Sequence, residues 1–399
     1  MKVLIHDYPG HAFPVQLARA LAARGHQVLH VWSATFQSPK GPLARRADDP
    51  PGLRLQPPDL DRPVAKYSFV QRALQERAYG RKAAALVAAE RPDVVIANGP
   101  LDILVPVRAA CRQVGARFVY WLQDFYGIAI DKVVRRKLPA VGVVVGAWYR
   151  ARERGLLAGS DWVVTISEDF RPTLEAMGVA RERTTIVENW AVIDEIPPGA
   201  RDNEWARANG ISGGPVFLYS GTLGLKHNPG LLLALARHLD ATPGARMVVV
   251  SEGIGADWLR EHARGVTSLV QLPFQPHERF ADVLASADVL VAILEPDAGV
   301  FSVPSKILAY LCAGRPVLAA IPPDNLAARI IAGSGAGLTA PPEDEPAFLA
   351  AADRLARDAA ARGEMGRKAL DYARRTFDIG AIAARFEDVL ARVKADGTP

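Results

Sequence analysis

The segment 299–321, GVFSVPSKILAYLCAGRPVLAAI, carries residues suited to holding a phosphate. Asp297 and Gly299 fall in a loop after the apolar run DVLVAILE, and Ser302 stands just ahead of Val303 and Pro304, where a helix can start. The unpaired N–H groups of Ser302 and Val303 would then face an anion, because the first turn of a helix has no internal acceptors for them. Lys306 would lie one turn into that helix and add a positive charge. The same spacing also fits an ordinary capped helix with Lys306 in water.

A second stretch, LYSGTLGLKHNPGLLL at 218–233, offers similar chemistry. A strand would end at Gly221, and Gly221 and Gly224 let backbone approach a ligand closely. Lys226 follows, with Asn228 as N-cap and Pro229 as the first helical residue. A lysine beside a helix start suits an anion; a tight turn with a solvated lysine fits equally. The loop HDYPGH at 6–11 places His6, Asp7 and His11 around a Pro9-Gly10 turn at a strand's end. In YWLQDFYG, Gln123 and Asp124 end another strand among Tyr120, Trp121, Phe125 and Tyr126. Asp124 there suits a base, a hydroxyl-orienting group or a helix cap.

The elements that must position these loops follow from the pattern of apolar runs. KVLIHDY, QVLHVWS, DVVIANG, RFVYWLQD, WVVTIS and TTIVEN read as strands, with helical spacing between them, as in SFVQRALQERAYGRKAAALVAAER. Strands apolar on both faces and separated by helices imply parallel sheets covered on both sides. The alternation breaks in a Pro-, Gly- and Asn-rich linker around 194–214 and then restarts with VFLYSG, RMVVVSEG, LVQLPF, DVLVAIL and PVLAAI. The expected organisation is a Rossmann-like domain over 1–195, a second over 214–380, and a C-terminal helix and tail over 381–399. Ligands of such sheets bind outside the carboxyl ends of the strands, here in a cleft between two domains.

A chain of 399 residues exceeds one ordinary core. The net charge of +5 suits an anionic substrate or anionic lipid headgroups, and no zinc-finger spacing or stacking motif suggests nucleic acid. The cysteines, Cys111 and Cys312, lie in apolar helical patterns and read as buried thiols, with no cluster for a metal. The N-terminus reads as a strand, not a signal peptide, and no apolar run reaches membrane-spanning length, so a cytoplasmic chain is expected. In DKVVRRKLPAVGVVVGAWYRARERGLL, bases Lys132, Arg135, Arg136, Lys137, Arg150, Arg152 and Arg154 flank VGVVVGAW. That is how a peripheral protein meets an anionic membrane; a buried helix with charged ends is the alternative.

In order along the chain, the N-terminal Pro-Gly loop, SGTLGLKHNP, SEGIG, VPSKILAYLCAGRPVLA, and GSGAGL followed by Pro-Pro-Glu-Asp resemble glycosyltransferase family 4. Within it the chain looks most like the bacterial O-antigen, colanic-acid and exopolysaccharide enzymes. The resemblance implies the GT-B fold, an α/β architecture of two Rossmann-like domains with parallel sheets facing a central cleft. It also implies retention of anomeric configuration and a UDP- or GDP-sugar cosubstrate, with no resident cofactor and no required metal. It assigns the diphosphate to Lys226, with Gly221, Thr222 and Lys306 at the donor and Ser302 and Val303 donating backbone N–H bonds. PFQP at 273–276, with Phe274 and Gln275, would meet the base beside Glu252. Gly10 and His11 would stand near the donor phosphate, and Gln123 and Asp124 near the acceptor or the transferred sugar. The family's paired glutamates fall on Phe301 and Ala309, so the carboxylate that normally holds the ribose is absent.

These expectations lead to a transferase acting on a nucleotide sugar and a lipid-linked or oligosaccharide acceptor at the inner membrane face, in cell-surface polysaccharide biosynthesis. A nucleotide-sugar epimerase uses the same double fold but needs cleft acids paired with a histidine. A non-catalytic homologue that binds a nucleotide, saccharide or partner is favoured by the missing glutamates and disfavoured by Lys226 and the phosphate-facing loop.

Overall fold

The computed structural model describes residues 1–36, 40–58, 69–137, 139–224, 227–296 and 305–395. Its contacts divide the chain into two units, Met1–Asn189 with Asp378–Pro399, and Trp190–Phe377.

The first unit contains the strands β1 (Lys2–Asp7), β2 (Gln27–Val31), β3 (Leu53–Gln56), β4 (Val94–Asn98), β5 (Arg117–Leu122), β6 (Trp162–Thr165) and β7 (Thr184–Ile186). Its helices are α1 (Ala12–Ala23), α2 (Phe69–Glu90), α3 (Leu101–Val114), α4 (Tyr126–Lys137), α5 (Pro139–Ala158) and α6 (Arg171–Ala176), and a C-terminal helix over 379–395 also belongs to it. The sheet order is β3-β2-β1-β4-β5-β6-β7, all parallel. The central strands read as unbroken apolar runs because helices cover both faces; every residue of β4, VVIAN, is buried.

The second unit repeats the scheme. Helices α7 (Glu204–Ala208) and α8 (Pro229–Leu239) flank β8 (Val216–Ser220). Then come β9 (Arg246–Val250), α9 (Ile254–His262), β10 (Leu269–Leu272), α10 (Phe280–Ala285) and β11 (Val289–Ile293). They are followed by α11 (Lys306–Cys312), β12 (Val317–Ala320), α12 (Leu326–Ser334) and β13 (Gly337–Ala340). Helices α13 (Glu345–Arg357) and α14 (Ala359–Thr376) close the unit, and α15 (Ile379–Ala395) is the helix that returns to the first one. The order is β10-β9-β8-β11-β12-β13, again all parallel. The stretch 194–214 packs on this unit through buried Ile196, Trp205 and Ile211. Cys111 and Cys312 are buried free thiols, each pushed up to about 12 by burial.

Strand order reverses between β1 and β4 in the first sheet and between β8 and β11 in the second. At such a switch point the flanking helices leave on opposite faces, and a crevice opens at the strands' carboxyl ends. That places the loop after β1 and the loop after β8 at the two positions most able to hold a ligand.

The switch point of the first sheet rests on buried histidines. His6 Nδ1 lies 3.0 Å from the Asn98 carbonyl and Nε2 3.1 Å from the Tyr79 hydroxyl. His30, on the neighbouring strand, has no hydrogen-bond partner among the described residues for either ring nitrogen. Burial lowers both from 6.5 to about 4, although nearby Asp7 partly offsets this. The unfolded chain therefore binds protons that the folded one refuses between pH 6.5 and 4. Stability is expected to fall as pH drops through that window, by up to about 3 kcal/mol per histidine. The check is urea unfolding against pH: replacing His30 by glutamine should flatten the acid limb, and an unchanged limb would contradict this account.

Candidate active site

The loop after β1 is held closed by its own side chains. The Asp7 carboxylate, wholly buried, accepts the His11 backbone N–H at 2.6 Å, and its other oxygen lies 3.8 Å from His11 Nδ1. Burial pushes the Asp7 carboxyl up, but the His11 hydrogen bond and the charges of His11 and His30 outweigh it and leave it below the ordinary carboxylate range. Lys40 donates to the Pro9 and Ser33 carbonyls, and Gly41 N–H to the Gly10 carbonyl. Gly10 has φ +76°, and a Cβ there would sit 3.0 Å from Leu43 and 3.2 Å from Trp32, so only glycine fits. His11 caps α1 with its side chain half exposed, stacked on Phe13 at 5.7 Å. Gln123 and Asp124 follow β5, two strands away in the same sheet. The Gln123 side-chain carbonyl accepts from Asn189 at 2.5 Å, and its buried NH2 group has no partner among the described residues.

In the second unit the loop after β8 is tied to its neighbours by backbone. Gly221 N–H bonds the Val250 carbonyl at 3.1 Å, and Leu223 N–H bonds Ser251 Oγ at 3.1 Å and the Glu252 carbonyl at 3.2 Å. The Tyr219 hydroxyl donates to the Thr222 carbonyl at 3.0 Å. Tyr310 clamps the strand end from α11: its hydroxyl accepts from Ser220 N–H at 3.0 Å and donates to the Ser220 carbonyl at 3.1 Å. Asn228 caps α8, accepting from Gly230 N–H at 2.9 Å, with Pro229 first in the helix. Glu252 is exposed at the end of β9, and Phe274 is exposed after β10. Gln275 spends its side chain locally, accepting from Trp205 Nε1 and donating to the Pro273 carbonyl.

Lys306 is the feature that stands apart. As described, α11 begins at Lys306, so this lysine stands in the first turn rather than one turn inside. Nor is it solvated. Its ammonium is out of water's reach, has no hydrogen-bond partner among the described residues, and lies 3.6 Å over the Tyr219 ring. It borders Gly221, where a Cβ would meet Nζ and Cε at 3.4 Å on a backbone of φ +129°. Burial alone drives its pKa well below 10.5. A buried ammonium without an anion is costly, and the ring face returns only part of that cost. An anion placed at the end of β8 would offset that cost.

The sequence reading missed Tyr219, Tyr310, Ser251, Asn189 and Lys40. One signal was present: Tyr310 is four residues beyond Lys306, hence on the same helical face. Lys226, Ser302, Val303 and the Phe301 position lie outside the described residues, whereas Ala309 lies within α11. Among the described residues, no group of three or more His, Cys, Asp or Glu could hold a metal.

Comparison with known proteins names the family. Residues 11–190 match the glycosyl transferase 4-like domain, and residues 214–358 match the glycosyl transferases group 1 domain. Between them the two matches span most of the chain, which belongs to this glycosyltransferase family and has the GT-B fold. No curated protein matches it by sequence. Sucrose-phosphate synthase from Thermosynechococcus elongatus superposes with a TM-score of 0.70 at 16% identity, over 99% of each chain. HepE from Anabaena, solved with UDP-glucose, gives 0.68 at 17% identity over 98% of this chain and 100% of its own. The α,α-trehalose 6-phosphate synthase of Burkholderia multivorans gives 0.68 at 12% identity over 100% and 99%.

Proposed function

We propose that this chain is a retaining glycosyltransferase. It moves a hexose or N-acetylated amino sugar from a UDP- or GDP-sugar to a saccharide acceptor linked to a lipid diphosphate. The place of action is the inner face of a bacterial cell membrane, in surface-polysaccharide assembly. The observation that carries this is the buried Lys306 ammonium, unpartnered among the described residues, beside Gly221 at the switch point of the second sheet. A diphosphate is the group that would satisfy it, and the structural neighbour HepE is known in complex with UDP-glucose.

In this reading Lys226 and Lys306 share the charge of the diphosphate, with the N–H groups of Ser302 and Val303 adding to it. As the C1–oxygen bond breaks, the electron pair goes to the departing diphosphate, and the fixed positive charges stabilise it where it develops. The acceptor hydroxyl oxygen bonds C1 on the face just vacated, and its proton passes to a leaving phosphate oxygen. Of the first unit's residues, Gly10 and His11 are assigned to the donor phosphate, Asp124 to orienting the acceptor hydroxyl and Gln123 to the acceptor or the sugar. Thr222, Glu252, Phe274 and Gln275 border the nucleoside. With alanine at 309 the ribose loses a charged hydrogen-bond partner worth about 1–3 kcal/mol, which weakens donor affinity roughly tenfold to a hundredfold without removing the groups that act on the leaving diphosphate.

The test is turnover. The protein, incubated with each labelled nucleotide sugar and extracted lipid-diphosphate saccharides, should lengthen the saccharide by one sugar whose anomeric configuration matches the donor. An inverted linkage would overturn retention. The residue at 309 favours one other reading, a nucleotide-binding homologue without catalysis; nucleotide binding with no transfer to any acceptor and no donor hydrolysis would establish it instead.

A further inference from the structure

Four of the seven large apolar side chains exposed among the described residues lie on one helix, α5: Val141, Val143, Val144 and Trp148. Val144 is 71% exposed and Trp148 45%. At 100° per residue, Val141, Val144 and Trp148 share one side of the helix, about two turns long. The opposite side is packed backbone-close onto α4. A Cβ at Gly142 would lie 2.5 Å from the Val134 carbonyl, and one at Gly146 would lie 3.0 Å from the Asp131 Cα. The glycines thus fix which side of α5 faces α4, and the valines and Trp148 are left outward.

Charge surrounds this face. Residues 126–158 contain seven bases and two acids, an excess equal to the +5 of the whole chain. Both acids are buried within the hairpin. Asp131 holds Arg135 at 2.5 Å and Arg150 at 3.5 Å, and Glu153 faces the first N–H groups of α4. Lys132, Arg135, Arg136, Arg150 and Arg154 stand exposed. Arg152 turns inward to Asp102 at 2.5 Å, its guanidinium 4.5 Å over the Trp148 ring, which props that indole outward.

We infer that the α4–α5 hairpin docks the protein on an anionic lipid bilayer, with Val141, Val144 and Trp148 entering the interface and the exposed arginines meeting the headgroups. An apolar stripe of this length inside a basic rim matches an interfacial helix. The basic rim disfavours a second copy of the same face, because like charges would oppose one another. The inference rests on the membrane-linked acceptor proposed above and supplies the surface that would bring the enzyme to it.

The test is sedimentation of the full chain with vesicles of phosphatidylcholine alone or with roughly a third phosphatidylglycerol. The unaltered protein should pellet with the anionic vesicles and stay in solution with the neutral ones. Val144→Ser with Trp148→Ser should lower partitioning by about tenfold or more, and Val141→Ser with Val144→Ser, which leaves Trp148 in place, should lower it too. Arg135→Gln with Arg136→Gln should weaken the preference for anionic lipid about tenfold or more. Nucleotide-induced thermal shifts should survive in all of them. Equal partitioning of variants and parent, or no pelleting by the parent, would overturn the inference; so would a dimer in sedimentation velocity that the Val144/Trp148 variant dissolves. Vesicle binding without any nucleotide shift would instead leave the docking surface standing and remove the transferase reading.

Discussion

Lys306→Met is expected to cut glycosyl transfer by about 10²–10³-fold, the scale of removing one preorganised charge stabiliser, while making the ligand-free protein more stable. Both effects have one source. The ammonium is buried over Tyr219, and among the described residues nothing accepts its protons. Without a ligand that is a cost, and a methionine of similar length removes it, for a gain of about 1 kcal/mol or more. With an anionic donor the same charge becomes the stabilising contact, and methionine cannot supply it. The pH dependence carries the matching sign. The Lys306 pKa is lowered well below 10.5 in the folded chain, so the unfolded chain binds the extra proton between those values. Stability of the ligand-free protein should therefore rise with pH through that window and should do so less in Lys306→Met. Donor binding restores the proton, so donor affinity should weaken as pH rises. Melting temperature and calorimetric affinity, each against pH, check the two halves; a variant that loses both stability and transfer would show Lys306 to be a packing residue.

Phe386→Ala is expected to destabilise the first unit by about 3–5 kcal/mol, the range for emptying a large buried aromatic site. Phe386 is fully buried and meets Trp121 edge-on, with centroids 5.0 Å apart. Helix α15 thus brings residues from the chain's end onto the core of a unit begun at its start. Glu387 pins the helix as well, pairing with Arg24 at 2.8 Å and His26 at 3.2 Å, while Arg24 also reaches the Gly380 carbonyl at 2.8 Å. Because Trp121 lies in β5, two residues before Gln123 and three before Asp124, the cavity should also lower transfer. A two-step melt should show the first unit's transition moved down and the other unchanged. A shift below about 1 kcal/mol would mean that α15 is only loosely docked.

The doubly wound plan was legible because its central strands carry unbroken apolar runs. The edge strands β3, LRLQ, and β13, GLTA, were not recognised. Each is four residues long and only partly buried, so neither shows the two-faced apolar pattern that marked the interior strands. The homing of α15 was illegible for a different reason. Its apolar stripe predicts a covered face but does not name the cover, and the partner lies hundreds of residues earlier. VGVVVGAW posed the opposite difficulty. Its valines suit a core, and only the glycine contacts at Gly142 and Gly146 reveal which side is packed. The candidate loops are read from glycine, proline and lysine spacing. What spacing does not carry is burial, and burial is what turns Lys306 from one more surface lysine into an unsatisfied charge.

Under the proposed function, the end of β8 in the second unit holds a nucleoside diphosphate through Lys306. The most direct measurement is a thermal-shift screen of UDP, GDP and ADP against the parent and Lys306→Met. The account predicts a rise in melting temperature with one nucleotide for the parent and none for the variant. An equal rise in both proteins, or no rise with any nucleotide at millimolar concentration, would contradict it.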